Sequence, residues 1–269
     1  MHHSFNELFS RIESHTGLIF IDTFEETRLI RELKKKFPSY SIQFWSATQG
    51  LHNIVKNTEP KKVKPYIFAA KDARKSANGG KSVGNLLTAL DIIEEDCRTK
   101  IDQRMNNIEG TIYIVRDAHK FFNNPMPIRK LRDILYLAST AGSPIIITGS
   151  GMKVPDDLSK DSAYIELGLP TKEEIITDII EKRVVRHIKS YNHTIDDGQN
   201  EGELIESDFD MNKVANACMG LTEEEIINTC SFSIETKHKL CPDVILNEKK
   251  NIINSLGGAM ILLSTLYTY

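Results

Sequence analysis

Residues 78–84 read NGGKSVG, and Gly80, Lys81 and Ser82 reproduce the second half of the phosphate-binding signature G-x-x-x-x-G-K-[ST]. In that signature successive backbone N–H groups surround a phosphate, the lysine neutralises it and the hydroxyl meets a magnesium ion. A tight turn off a strand requires a further glycine five positions before Gly80, and Lys75 stands there. The charged stretch KDARKSA (71–77) also separates the apolar run PYIFAA from the glycine pair. The competing reading is a Gly/Ser/Lys surface loop with Lys81 as a solvated side chain. Two more positions belong to the same chemistry. TIYIVRDAHKFF ends an apolar run in Asp117, a carboxylate suited to hold magnesium through water, but the next residue is Ala118 and not the glutamate that activates an attacking water. SPIIITGS ends in Thr148 and Ser150, hydroxyls placed where a γ-phosphate would be sensed, or where they satisfy local backbone groups. No arginine occurs in DLSKDSAYIE (157–166) or early in the helical pattern after Gly220 to reach a phosphate. The expectation is a chain with no catalytic residues and no cofactor. The alternative is ATP with magnesium bound by Gly80, Lys81, Ser82, Asp117 and Thr148.

Other site chemistries find less support. Cys97, Cys218, Cys230 and Cys241 contain no pair at the two-to-four-residue separation of a zinc knuckle, and Cys241 with His238 is the nearest approach to a metal pair. They are expected as reduced thiols. Asp197, Glu201, Gly202 and Asp208 fall at positions one, five, six and twelve of a calcium loop, but Gln199 occupies position three and position twelve is not glutamate, so a solvated loop is expected. The net charge of −3 gives no bulk electrostatic case for nucleic acid, although RELKKK (31–36) and MPIRKLRDIL could form a local basic face. The N-terminus has no long apolar core, and LGGAMILLSTLY (256–267) falls short of the ~20 residues of a membrane helix. A soluble, intracellular protein without a membrane partner is expected, in a cytoplasm or alternatively a chloroplast stroma.

The elements that must position these residues follow a simple alternation. GLIFIDT (17–23), YSIQFWSAT (40–48), PYIFAA (65–70), TIYIVRD (111–117), SPIIITGS (143–150) and AYIELGL (163–169) are short, continuous apolar runs, as expected of parallel strands buried on both faces. Helical patterns lie between them. Thr23 with Glu26, Thr171 with Glu174 and Thr222 with Glu225 have capping-box spacing, and Leu29, Ile30, Leu33 and Phe37 fall near one helical face. Strand signals stop after residue 170. The expected fold is α/β, a three-layer parallel sheet with a small all-α domain. Its expected divisions are an N-terminal helix 1–14, a body 15–170, a helical lid 171–254 with an acidic loop 191–210, and a tail 255–269. Phe121, Phe122, Pro125 and Pro127 are expected to shape the connection after Asp117.

The ordered stretches GLIFIDTFEE, FWSATQGL, TALDIIEE, YIVRDAHKFF, MPIRKLRDIL, IIITGSGMKVPDDL, YIELGLPTKEEI, MGLTEEEIINTCSFSI and DVILNEKKNII resemble the AAA+ ATPase superfamily. More narrowly, they resemble the degenerate N-terminal half of two-module AAA+ ATPases of cyanobacteria, chloroplasts and some bacteria and phages. The resemblance implies a P-loop NTPase-like body with a helical lid, and a partner that is an AAA+ ATPase module or another copy of the chain. In such proteins a second module with an intact phosphate loop follows a segment like ILNEKKNII; here NSLGGAMILLSTLYTY follows instead. The usual nucleotide loop, between the first strand and its helix, is replaced by DTFEETR, whose adjacent glutamates suit a helix N-terminus but repel a triphosphate. A nucleotide-silent module is the leading functional expectation. The alternatives are a residual ATPase using Lys81, Ser82 and Asp117, and a nucleic-acid-associated subunit.

Overall fold

The computed structural model describes residues 3–53, 85–102, 110–196, 205–206 and 208–255. The PYIFAA run, the NGGKSVG segment with Gly80, Lys81 and Ser82, the calcium-loop positions Asp197, Glu201 and Gly202, and the tail from 256 lie outside them. The chain divides into two compact units, His3–Gly168 and the residues from Leu169 onward.

In the first unit, α1 (His3–Glu13) precedes β1 (Leu18–Asp22), α2 (Glu26–Lys36), β2 (Ser41–Ser46), β3 (Gly50–Asn53), α3 (Leu86–Asp102), β4 (Thr111–Arg116), α4 (Pro125–Thr140), β5 (Ile145–Gly149) and β6 (Ala163–Glu166). The sheet order is β3-β2-β4-β5-β1-β6, parallel except for the β2–β3 pair. The reason for the unbroken apolar runs is visible in the packing, because each strand alternates between two buried faces. Leu18, Phe20, Tyr113, Val115, Ile145 and Ile147 meet Leu90 and Ile93 of α3 and Leu131 and Ile134 of α4. Ile19, Ile21, Ile112, Ile114 and Ile146 meet Phe5 and Leu8 of α1 and Leu29 and Leu33 of α2. The unit is therefore a sheet between two helical layers.

One local expectation is extended and another corrected. The run 40–48 contains the expected strand, β2, which ends at Ser46, and the chain then returns as an antiparallel strand not expected from sequence, β3, beginning at Gly50 with φ +69° and lying at the edge of the sheet among the described residues. A positive φ there is cheap for glycine, which lets four mostly polar residues pair along the edge. Thr23 and Glu26 do not form a capping box. The residue before α2 is Glu25, with no side-chain cap, and Thr23 Oγ1 instead accepts the Glu25 N–H at 2.9 Å.

The second unit is helical apart from one isolated bridge, Glu206 to Lys239, among the described residues. It comprises α5 (Lys172–Glu174), which continues through π-helical turns at Ile175–Val185 into α6 (Arg186–Asp196), then α7 (Met211–Cys218), α8 (Glu223–Lys237) and α9 (Pro242–Ser255). Both capping boxes expected here form, Thr171 with Glu174 and Thr222 with Glu225. Ile175, Ile179, Ile180, Val214, Ile226 and Ile245 build its core.

Candidate functional site

The carboxyl ends of β1, β4 and β5 lie side by side. After β1 the chain enters α2 on one face of the sheet, whereas after β4 it enters α4 on the other. Divergent exits of this kind open a crevice at the strand ends, where open α/β sheets bind ligands. The register sets which side chains meet there: Asp22 pairs with Gly149 and Glu166, and Arg116 pairs with Thr148.

Asp22, at the end of β1, is held by two donors. Its Oδ1 accepts the Gly151 N–H at 2.9 Å, and its Oδ2 accepts the Tyr164 hydroxyl at 3.1 Å. Glu26, in the first turn of α2, projects toward the neighbouring strand ends. Its Oε1 accepts the Thr148 hydroxyl at 2.6 Å, and its Oε2 lies 3.0 Å from Arg116 Nε. The Arg116 guanidinium also lies over the Phe44 ring, 4.8 Å from its centre, while its Nε–H is poorly aimed at the carboxylate; the contact is thus an ion pair and not a good hydrogen bond. A carboxylate near a helix N-terminus is electrostatically favoured, and here it also meets a hydroxyl and a guanidinium. Glu26 thereby places a fixed carboxylate in the first turn of α2, against the ends of β4 and β5.

One residue earlier, Glu25 and Arg28 form a buried ion pair at 2.6 Å, with both side chains 3% exposed. Arg28 donates a second bond to the Gly168 carbonyl at 3.0 Å and stacks over Phe5. The glutamate pair of DTFEETR therefore divides its work: Glu25 pairs with Arg28, which reaches the Gly168 carbonyl, and Glu26 meets the strand ends.

Asp117 and Thr148 are brought together through their backbones, the Asp117 N–H donating to the Thr148 carbonyl at 2.8 Å. Asp117 takes a left-handed conformation, φ +53°, and starts a 3-10 turn, Ala118–Phe121. That turn presses His119 onto Gly149: a Cβ added at Gly149 would sit 2.3 Å from the imidazole. Both His119 ring nitrogens are shielded from solvent without a hydrogen-bond partner. Burial, and then Lys120, pushes its pKa below the usual histidine value against the opposing pull of Asp117 and Asp22. Thr148 is fully buried. Its hydroxyl serves the chain's own Glu26 rather than the backbone groups considered from sequence. Phe121 packs edge-on against Trp45 and Phe122 against Phe20, so the connection after Asp117 is anchored in the core.

Asp22, Glu26, Arg116 and His119 were not assigned to the site from sequence. Arg116 and His119 flank Asp117 in TIYIVRDAHKFF, which is the signal available for them; the Glu26 partnership spans 122 positions and has no local signature. Among the described residues no three His, Cys, Asp or Glu side chains converge to hold a metal ion.

Residues 4–167 match the domain described as SpoVK-like AAA ATPase, N-terminal domain. The chain belongs to that family. Its sheet and helical layers are accordingly those of an α/β, P-loop NTPase-like fold of the AAA+ superfamily. Over 256 residues this SpoVK-like domain protein is 26% identical to the AAA domain-containing protein ycf46 of Trieres chinensis, covering 93% of the chain and 42% of the relative. The ycf46 protein of Pyropia yezoensis is 24% identical over 249 residues, covering 90% of the chain and 41% of the relative. The SpoVK-like chain thus spans about two fifths of the length of these relatives. Among solved structures, PCH-2 of C. elegans has a TM-score of 0.47 at 10% identity, covering 92% of this chain and 68% of its own.

Proposed function

We propose that this chain is a nucleotide-silent AAA+ module that acts by associating with an AAA+ ATPase module or with further copies of itself. The observation that carries the reading is Glu26, whose carboxylate is seated between Thr148 and Arg116 beside the N-terminus of the helix after β1. A triphosphate brought to that helix would meet a fixed negative charge instead of a ring of free N–H groups. Two further features support it. Ala118 follows Asp117 where a water-activating glutamate would be needed, and the relatives are more than twice as long as the stretch they share with this chain. Catalysis would then belong to the partner module. The proposed setting is a reducing one, cytoplasm or stroma, and among the described residues no helix is long and apolar enough to cross a membrane.

Titration of the purified chain with a fluorescent ATP analogue and magnesium tests this reading. The expected result is no saturable binding up to millimolar analogue. Tight binding that is lost in Lys81→Ala or Asp117→Ala would overturn it in favour of a phosphate site built on Gly80, Lys81 and Ser82.

A further inference from the structure

Phe24 is the most exposed large apolar side chain among the described residues, at 78%, yet both of its chain neighbours are buried. Thr23 donates its N–H to the Gly149 carbonyl at 2.8 Å. Glu25 is held in its pair with Arg28 and donates its N–H to Thr23 Oγ1 at 2.9 Å. The backbone on either side of Phe24 is therefore fixed, and the fold itself holds the ring in solvent. An aromatic side chain displayed in this way has little freedom left to lose when a partner covers it, and such anchors carry much of the binding energy of protein interfaces. The ring emerges at the carboxyl ends of the strands. The residues that end those strands, or open the turns after them, are mostly acidic: Asp22, Glu26, Asp117 and Glu166 stand against exposed Lys120 and Arg116, and Arg116 is already paired with Glu26.

A second exposed apolar group lies on another side of the same unit. Met126 and Tyr136 of α4 are each more than half exposed, and Arg129 and Arg132 lie between them on the helix face turned away from buried Leu131, Ile134 and Leu135. The Tyr136 hydroxyl is anchored on Asp161 at 3.0 Å, which holds the ring in place. Arg129 meets Asp133 of its own helix at 2.7 Å, but both side chains are exposed, so the guanidinium can change partner at little cost. This stripe has the complementary character: apolar at its two ends and basic in its centre. Because α2 and α4 cover opposite faces of the sheet, Phe24, at the entry to α2, and the outer face of α4 cannot cover each other within one copy.

We propose that the outer face of α4 in one copy of this chain is the docking surface for the Phe24 loop of a second copy, with Phe24 lying between Met126 and Tyr136 and with Arg129 and Arg132 facing Asp117 and Glu166. The contact rests on the self-association proposed above and names its two surfaces. Since those surfaces differ, the pairing is heterologous: copies add head to tail, and the series either closes into a ring or extends. Its charged part weakens as salt rises, because the arginines and acids involved are exposed in the separate copies.

Sedimentation velocity of the full chain, from micromolar to submillimolar concentration, tests the contact. The expected result is a concentration-dependent series that extends beyond a dimer and recedes as sodium chloride is added. Phe24→Ser, and separately Arg129→Glu with Arg132→Glu, are each expected to weaken association at least tenfold while the thermal transition of the parent chain is kept. Mixed together, the two variants should form a dimer and nothing larger, because each retains the face that the other has lost; that recovery also shows that both are folded. A parent chain that stays a monomer, association indifferent to salt, association unchanged in both variants, or folded variants that give no mixed dimer would overturn the contact. The parent chain and its salt response decide the question even where a variant misfolds. Titration with the ATP analogue separates this contact from the reading it rests on. A chain that binds the analogue tightly yet associates through Phe24 keeps the contact and loses nucleotide silence, whereas a silent chain that stays a monomer keeps the silence and loses the contact.

Discussion

Arg28 and Glu25 are a pair whose members depend on each other, since each would otherwise be a buried charge. Arg28→Ala is expected to cost about 3–5 kcal/mol in urea unfolding, because it removes the guanidinium 2.6 Å from the buried Glu25 carboxylate and frees the Gly168 carbonyl. The double variant Glu25→Leu/Arg28→Met should recover a large part of that loss; a double variant no better than Arg28→Ala would mean that the ion pair, and not the filled volume, holds α2 in place. His119 gives a prediction in pH. Its folded pKa lies below that of the unfolded chain, so the unfolded state takes up the proton first as pH falls. Stability contributed by neutral His119 is therefore complete above the ordinary histidine pKa of about 6.5 and is lost progressively between that value and the lower folded pKa. Thermal unfolding of the parent minus that of His119→Gln, followed from pH 8 to pH 5, should show this decline; parallel curves would mean that the imidazole is not held neutral by its burial.

At the scale of elements, what was legible followed from local chemistry. β1, β4 and β5 read correctly because strands covered on both sides have no polar alternation to obscure them, and α8 read correctly because Thr222 and Glu225 carry their capping box within one turn. Thr222→Ala is expected to cost about 1 kcal/mol, measured by urea unfolding, with Glu225→Ala lowering stability in the same direction by losing the reciprocal bond. Thr23 and Glu26 have the same spacing, yet the box does not form there. The competing partners of Glu26, Thr148 and Arg116, come from two other strands and are invisible to any window around α2. β3 escaped detection for a related reason: Gly-Leu-His-Asn has no strand periodicity, and its pairing is dictated by the turn at Gly50 and the free edge of β2.

For the whole molecule, the buried clusters are built from separate stretches of chain. The two that cover the sheet draw on residues between Phe5 and Leu167, and the third on residues between Ile175 and Ile252. A chain ending at Gly168 is thus expected to keep a cooperative thermal transition with the far-ultraviolet signature of a mixed α/β fold; loss of that transition would show that the sheet needs the helical unit to stay folded. The sequence by itself determined the runs of β1, β2, β4, β5 and β6 and the helix starts at Thr171 and Thr222, because each is written in residues within a turn or a strand of one another. Only the tertiary structure decided that Glu26 would sit on Thr148 and Arg116 and that His119 would lie against Gly149. Both contacts depend on the strand order β3-β2-β4-β5-β1-β6 and its register, which are set by burial of whole faces at once and not by neighbours along the chain.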